Sequence, residues 1–90
     1  MTAQSTPVNI TGTTQTISSV PCTYRGFHIA STPGATVTLY DNTAASGTVL
    51  AQFTLAANGD RFVDVADGMR CAIGIYLSAT AAVTGHVRVG

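Results

Sequence analysis

Lysine, glutamate and tryptophan are absent from this 90-residue chain. Four Arg and four Asp are its only fully charged residues, 9% of the sequence, against roughly a quarter in an ordinary soluble domain. A chain with so little charge, balanced to zero, has no basic patch for nucleic acid or anionic lipid, and neither is an expected partner. No stretch approaches about 18 uninterrupted apolar residues, so no membrane span is expected. Met1-Thr2-Ala3-Gln4-Ser5-Thr6 carries no positive charge and no apolar core. A signal peptide is therefore not expected, and synthesis in the cytoplasm is. CxxC and HxxxH spacings are missing, as is a GxSxG elbow, so zinc and a hydrolase nucleophile lack their usual frames.

What the chain does contain is 46% hydrophobic residues, many of them small Ala and Val, and 15 Thr. That composition excludes a polar disordered tail. Ninety residues make one domain with a thin stability margin, which oligomerisation or docking would widen. The dominant pattern is period-two alternation cut by turn residues. Strands are expected at 7–11, 15–20, 22–31, 35–41, 48–56, 61–66, 69–78 and 83–89. Gly26 is expected to bulge, so that Cys22 and Tyr24 turn inward together with Phe27 and Ile29. Thr32-Pro33-Gly34 reads as a turn, Asn58-Gly59 as a type I′ hairpin and Asp67-Gly68 as a second turn of that kind. Met69, Cys71, Ile73, Ile75 and Leu77 share one face of the best central-strand candidate, and Gly74 leaves room for another backbone to approach. No ten-residue segment shows a 3.6 period. The expected fold is all-β: one small antiparallel β-sandwich or jelly roll of about eight strands over residues 10–90, preceded by a flexible arm at 1–9.

The reactive side chains are few. Asp60, Asp64 and Asp67 cluster in sequence, but turn chemistry accounts for Asp60 and Asp67, and the spacing matches no metal loop. His28 and His86 are the only candidate bases near neutrality, and both read as strand residues on a solvent or subunit face. No catalytic residue, cofactor or metal is expected. Cys22 and Cys71, 49 residues apart, are expected as reduced, largely buried thiols, although a particle leaving the cell could oxidise them if geometry allowed. Arg25 and Arg61 could pair with Asp across strands or desolvate at an interface. Tyr24, Tyr40 and Tyr76 could stack on sugar rings, though tyrosine at a sheet surface or subunit contact is the commoner outcome.

Outward strand positions read as Thr, Ser, Ala and Gln where a free sheet would carry charge. Such a surface desolvates easily, so a homo-oligomer is expected, with a cyclic trimer favoured. Zero net charge predicts an assembly only weakly sensitive to salt.

Cys22-Thr23-Tyr24-Arg25-Gly26-Phe27-His28-Ile29 resembles a strand common in very small structural proteins of tailed-phage virions. The resemblance continues through Val37 to Asp41, Gly68-Met69 and the closing strand Thr84 to Val87. It implies a β-sandwich capsid decoration or cement protein at the capsid surface, with the major capsid protein as partner. It carries no catalytic residue. The expected contacts are Val8, Ile10, Tyr24, Arg25 and Tyr40, with the arm Thr2 to Asn9 ordering on docking. Other readings are a tail, connector, turret or head-fibre component, or a glycan- or host-binding module on the same sandwich.

Overall fold

The computed structural model describes residues 6–10 and 12–90. Eight strands follow in order: β1 (Thr6–Asn9), β2 (Thr14–Ser18), β3 (Cys22–Ser31), β4 (Ala35–Asp41), β5 (Thr48–Leu55), β6 (Gly59–Cys71), β7 (Ile75–Ala79) and β8 (Thr84–Val89). No helix occurs among the described residues. Beta-branched Thr and Val favour the extended backbone, and the short Ala runs cannot propagate a helix.

The strands form two antiparallel four-stranded sheets. Sheet I has the order β1-β8-β3-β6, and sheet II the order β2-β7-β4-β5. Every connection except the β4–β5 hairpin crosses between the sheets, which is the connectivity of a jelly roll. Inward positions of both sheets meet in one core. Phe27, Ile29, Val37, Leu39, Cys71, Ile75, Leu77 and Val87 are fully buried. Phe27 of sheet I stacks on Phe53 of sheet II, with ring centroids 4.8 Å apart.

The expected Gly26 bulge is present. The register shifts between Tyr24 and Gly26, and Tyr24 turns inward beside Phe27. Gly26 has a φ of 116°, and a Cβ there would collide with the Val63 carbonyl of the adjacent strand. Gly74 likewise lies where a Cβ would collide with the Ser18 carbonyl. Gly34, at φ 85°, completes the expected turn.

Four expectations are corrected. Thr6–Asn9 is an edge strand paired with β8, so this part of the arm is ordered within the fold. Val8 packs against the core, and Pro7 is tolerated because an edge position does not need its missing N–H. Residues 2–5 of the arm lie outside the described residues. Asn58-Gly59 does not close a hairpin, since β5 and β6 lie in different sheets. It forms a corner in which the Gly59 amide donates to the Ala56 carbonyl at 2.8 Å and only Asn58 takes a positive φ, 58°. Asp67-Gly68 does not separate two strands either, because β6 runs on through it. Tyr24 opposes Met69 and Gly26 opposes Asp64, so the extra residues of β6 bulge opposite Arg25. Finally, 69–78 is two strands. Cys71 ends β6, residues 72–74 cross over, and Ile75 begins β7 in the other sheet. That crossing leaves Met69 and Ile73 exposed, while Cys71, Ile75 and Leu77 remain buried.

Candidate functional site

The five expected contact residues do not form one patch. Ile10 and Tyr24 are 7% and 2% exposed and belong to the core. The Ile10 amide donates to the Gly85 carbonyl at 3.0 Å, which draws its side chain under β8. The Gly26 bulge turns Tyr24 inward. Burial pushes the Tyr24 phenol up to about 12, with Cys71 adding to the rise, and its buried hydroxyl lacks a partner among the described residues. Val8 faces the core opposite Val87. Arg25 is half-buried beside Gly68, and its Nε has no partner among the described residues. Only Tyr40 stands on an outer face, that of sheet II.

That outer face is uncharged. One cross-strand row runs Thr14, Ser78, Thr38, Gln52, and the next runs Thr16, Tyr76, Tyr40, Val49. Thr36 and Thr54 oppose each other beyond the first row. Some of the polar groups here satisfy one another. Thr36 and Thr54 hydroxyls are 3.1 Å apart, Gln52 Nε2 donates to Thr38 Oγ1 at 3.2 Å, and Thr80 Oγ1 accepts the Thr36 amide at 2.9 Å. A hydroxyl already bonded within the protein loses little when water is removed from above it.

The Tyr40–Val49 row borders an end of the sandwich formed by loops 19–21, 42–47 and 72–74. Val20, Val49 and Ile73 are all exposed there. Asp41 holds this end in shape, accepting the amides of Ala72 at 3.1 Å, Ile73 at 3.0 Å and Gly74 at 3.3 Å. The Ile73 amide contributes most to holding the Asp41 carboxyl below its ordinary range.

Sheet I presents a different outer face. His86 and His28 oppose each other, and His28 opposes Phe62. The imidazoles are 6.3 Å apart between centroids, and Phe62 meets His28 edge-on at 6.1 Å. His28 Nε2 lies 3.1 Å from Asp60 Oδ2. Arg88 donates to the Val63 carbonyl at 2.8 Å, lies 3.4 Å from Asp64 and stacks over Phe62 at 5.0 Å. The cross-strand ion pair therefore uses Arg88, not Arg25 or Arg61. Arg61 instead stands 5.3 Å over the Phe53 ring.

A shallow groove of about 360 Å³ lies on this face, lined by His28, Ala30, Ser31, Thr32, Asn58, Gly59, Asp60 and Thr84. Ser31 Oγ donates to the Ala82 carbonyl at 3.0 Å and is almost fully buried, so this hydroxyl is not held for proton transfer to His28. Among the described residues, no group of three or more His, Cys, Asp or Glu could hold a metal.

Cys22 and Cys71 face each other across β3 and β6 as free thiols. Burial pushes the Cys71 thiol up to about 12. Sequence reasoning did not single out Phe62. The alternation of Asp60, Phe62 and Asp64 marks one face of β6, but only the register shows that His28 lies beside it.

The fold, with its pair of contrasting faces, is a small all-β sandwich. No family model, curated protein or solved structure matches the chain.

Proposed function

We propose that this chain is a structural component of a virion, a decoration or cement protein of a tailed-phage capsid that self-associates and bridges neighbouring shell subunits. The observation that carries the reading is the uncharged outer face of sheet II, on which Thr36 bonds Thr54 and Gln52 bonds Thr38. It adjoins the apolar end formed by Val20, Val49 and Ile73. An uncharged face with exposed apolar residues near its end loses less on dehydration than a charged one, as contact with identical copies and a shell requires. Many identical copies convert modest individual contacts into high avidity. Jelly rolls recur in viral capsids, which supports the reading by analogy of fold.

The test is to add purified protein to capsids stripped of decoration and image them. Density on the shell surface with sheet II facing inward is expected, and light scattering should show a closed oligomer, a trimer in the favoured case. Density confined to the tail would move the protein to another virion station. A monomer that never binds shells would end the proposal.

A further inference from the structure

The groove on sheet I is built differently from the sheet II face, and we infer that it is a binding site for a short neutral saccharide. Its floor is Ala30, the smallest outward side chain of β3, between Asp60 on β6 and Thr84 on β8. The side chains of Thr32, Asn58 and Thr84 make no hydrogen bond to the protein among the described residues, and all three residues line the groove. Donors and acceptors that line a concave site without internal partners suit a ligand rich in hydroxyls.

The charge balance narrows the class. The only ionisable groups lining the groove, His28 and Asp60, are bonded to each other at 3.1 Å. No arginine lines the groove to hold a phosphate, and His28 already engages Asp60 Oδ2, so a cation would find only Oδ1. Asp60 still has Oδ1 free among the described residues to accept from a sugar hydroxyl.

An apolar platform stands beside the groove. Phe62 is 61% exposed, two residues along β6 from Asp60. Arg88 stacks on it and the His28 ring meets it edge-on, so the side chain is held in place before any ligand arrives. A fixed aromatic ring beside free polar groups matches the two surfaces of a pyranose, one of C–H bonds and one of hydroxyls, with little ordering cost on binding. The inference rests on this groove alone and holds whether or not sheet II docks on a shell.

The experiment is a ¹⁵N NMR titration of the intact protein with glucose, galactose, mannose, N-acetylglucosamine and their short oligomers, with glucuronate and glucosamine as charged controls. At least one neutral sugar should shift the amide signals of His28, Ala30, Asp60, Phe62 and Thr84, with millimolar or tighter affinity. Phe62→Ala and Asp60→Ala change exposed side chains and should keep the folded spectrum while each weakening binding about tenfold or more. No shift with any neutral sugar overturns the inference. So do shifts produced only by the charged controls, shifts centred on Tyr40 and Tyr76, or undiminished binding by Phe62→Ala.

Discussion

Placing one carboxylate at the centre of the sheet II face should weaken assembly strongly and leave the fold intact. Ser78 is the position of choice. It lies on the interior strand β7, opposite Thr14 on one side and Thr38 on the other. An aspartate there has too short a stem to reach the rim, and the face offers no basic side chain to pair with it. Four strands about 4.8 Å apart and five residues at about 3.3 Å span roughly 300 Å². That is less than half of the ~800 Å² per partner of a stable interface, so the apolar end and the sheet edges must supply the rest. A lone charge trapped in the middle of such a contact costs several kcal/mol. Taking about 3 kcal/mol, Ser78→Asp should weaken association about a hundredfold. In the free monomer the same change should cost no more than about 1 kcal/mol, the span of strand propensities. Sedimentation equilibrium and shell binding would measure the first effect, and urea unfolding the second. Thr84→Asp, on the opposite face, serves as the control and should assemble normally. Wild-type assembly by Ser78→Asp, or equal disruption by Thr84→Asp, would refute the reasoning.

Three further outcomes are expected. Tyr24→Phe removes a buried hydroxyl without a partner and should raise unfolding free energy by about 1 kcal/mol, whereas a loss of that size in urea titration would reveal a partner for the hydroxyl. Stability should fall between about pH 9 and 12. Burial raises Cys71 from 9.0 and Tyr24 from 10.0, each to about 12, so the unfolded chain sheds these protons first and is favoured as pH rises through that window. A urea midpoint unchanged from pH 9 to 11 would contradict this, and Tyr24→Phe should flatten the decline. Gly26→Ala forces a Cβ against the Val63 carbonyl at a positive φ and should cost at least about 2 kcal/mol in thermal or urea unfolding.

Much of the architecture was legible because period-two patterning is local. Val37 and Leu39 inward with Thr36, Thr38 and Tyr40 outward follows from alternation alone, and the Gly26 bulge follows from the clash of parity between Tyr24 and Phe27. What escaped was which sheet each strand joins. Asn58-Gly59 has the composition of a hairpin turn, yet it links two sheets, because the partner of β6 is β3 and not its neighbour β5. The run 69–78 reads as one strand because the residues on either side of the 72–74 crossing keep the same inward parity. The candidate sites were less legible for the same reason. The expectation of an uncharged surface holds for sheet II alone, since the register gathers both histidines, Asp60, Asp64 and Arg88 onto sheet I. His28 and Asp60 meet across 32 residues of sequence, and no local pattern announces such a pair.

The crossing of strands between sheets also sets the order in which the chain can fold. The pairs nest like parentheses: β4 with β5 innermost, then β3 with β6, β2 with β7, and β1 with β8 outermost. Only the innermost pair is a local hairpin, able to form in microseconds. Each later pair closes a longer loop and depends on the one before it, which places this protein among slow folders, in the range of milliseconds to seconds. While the chain emerges from the ribosome, β1, β2 and β3 must wait unpaired for partners made after the hairpin. In that interval the low charge of the chain offers little repulsion between neighbouring nascent chains, which exposes its synthesis to aggregation.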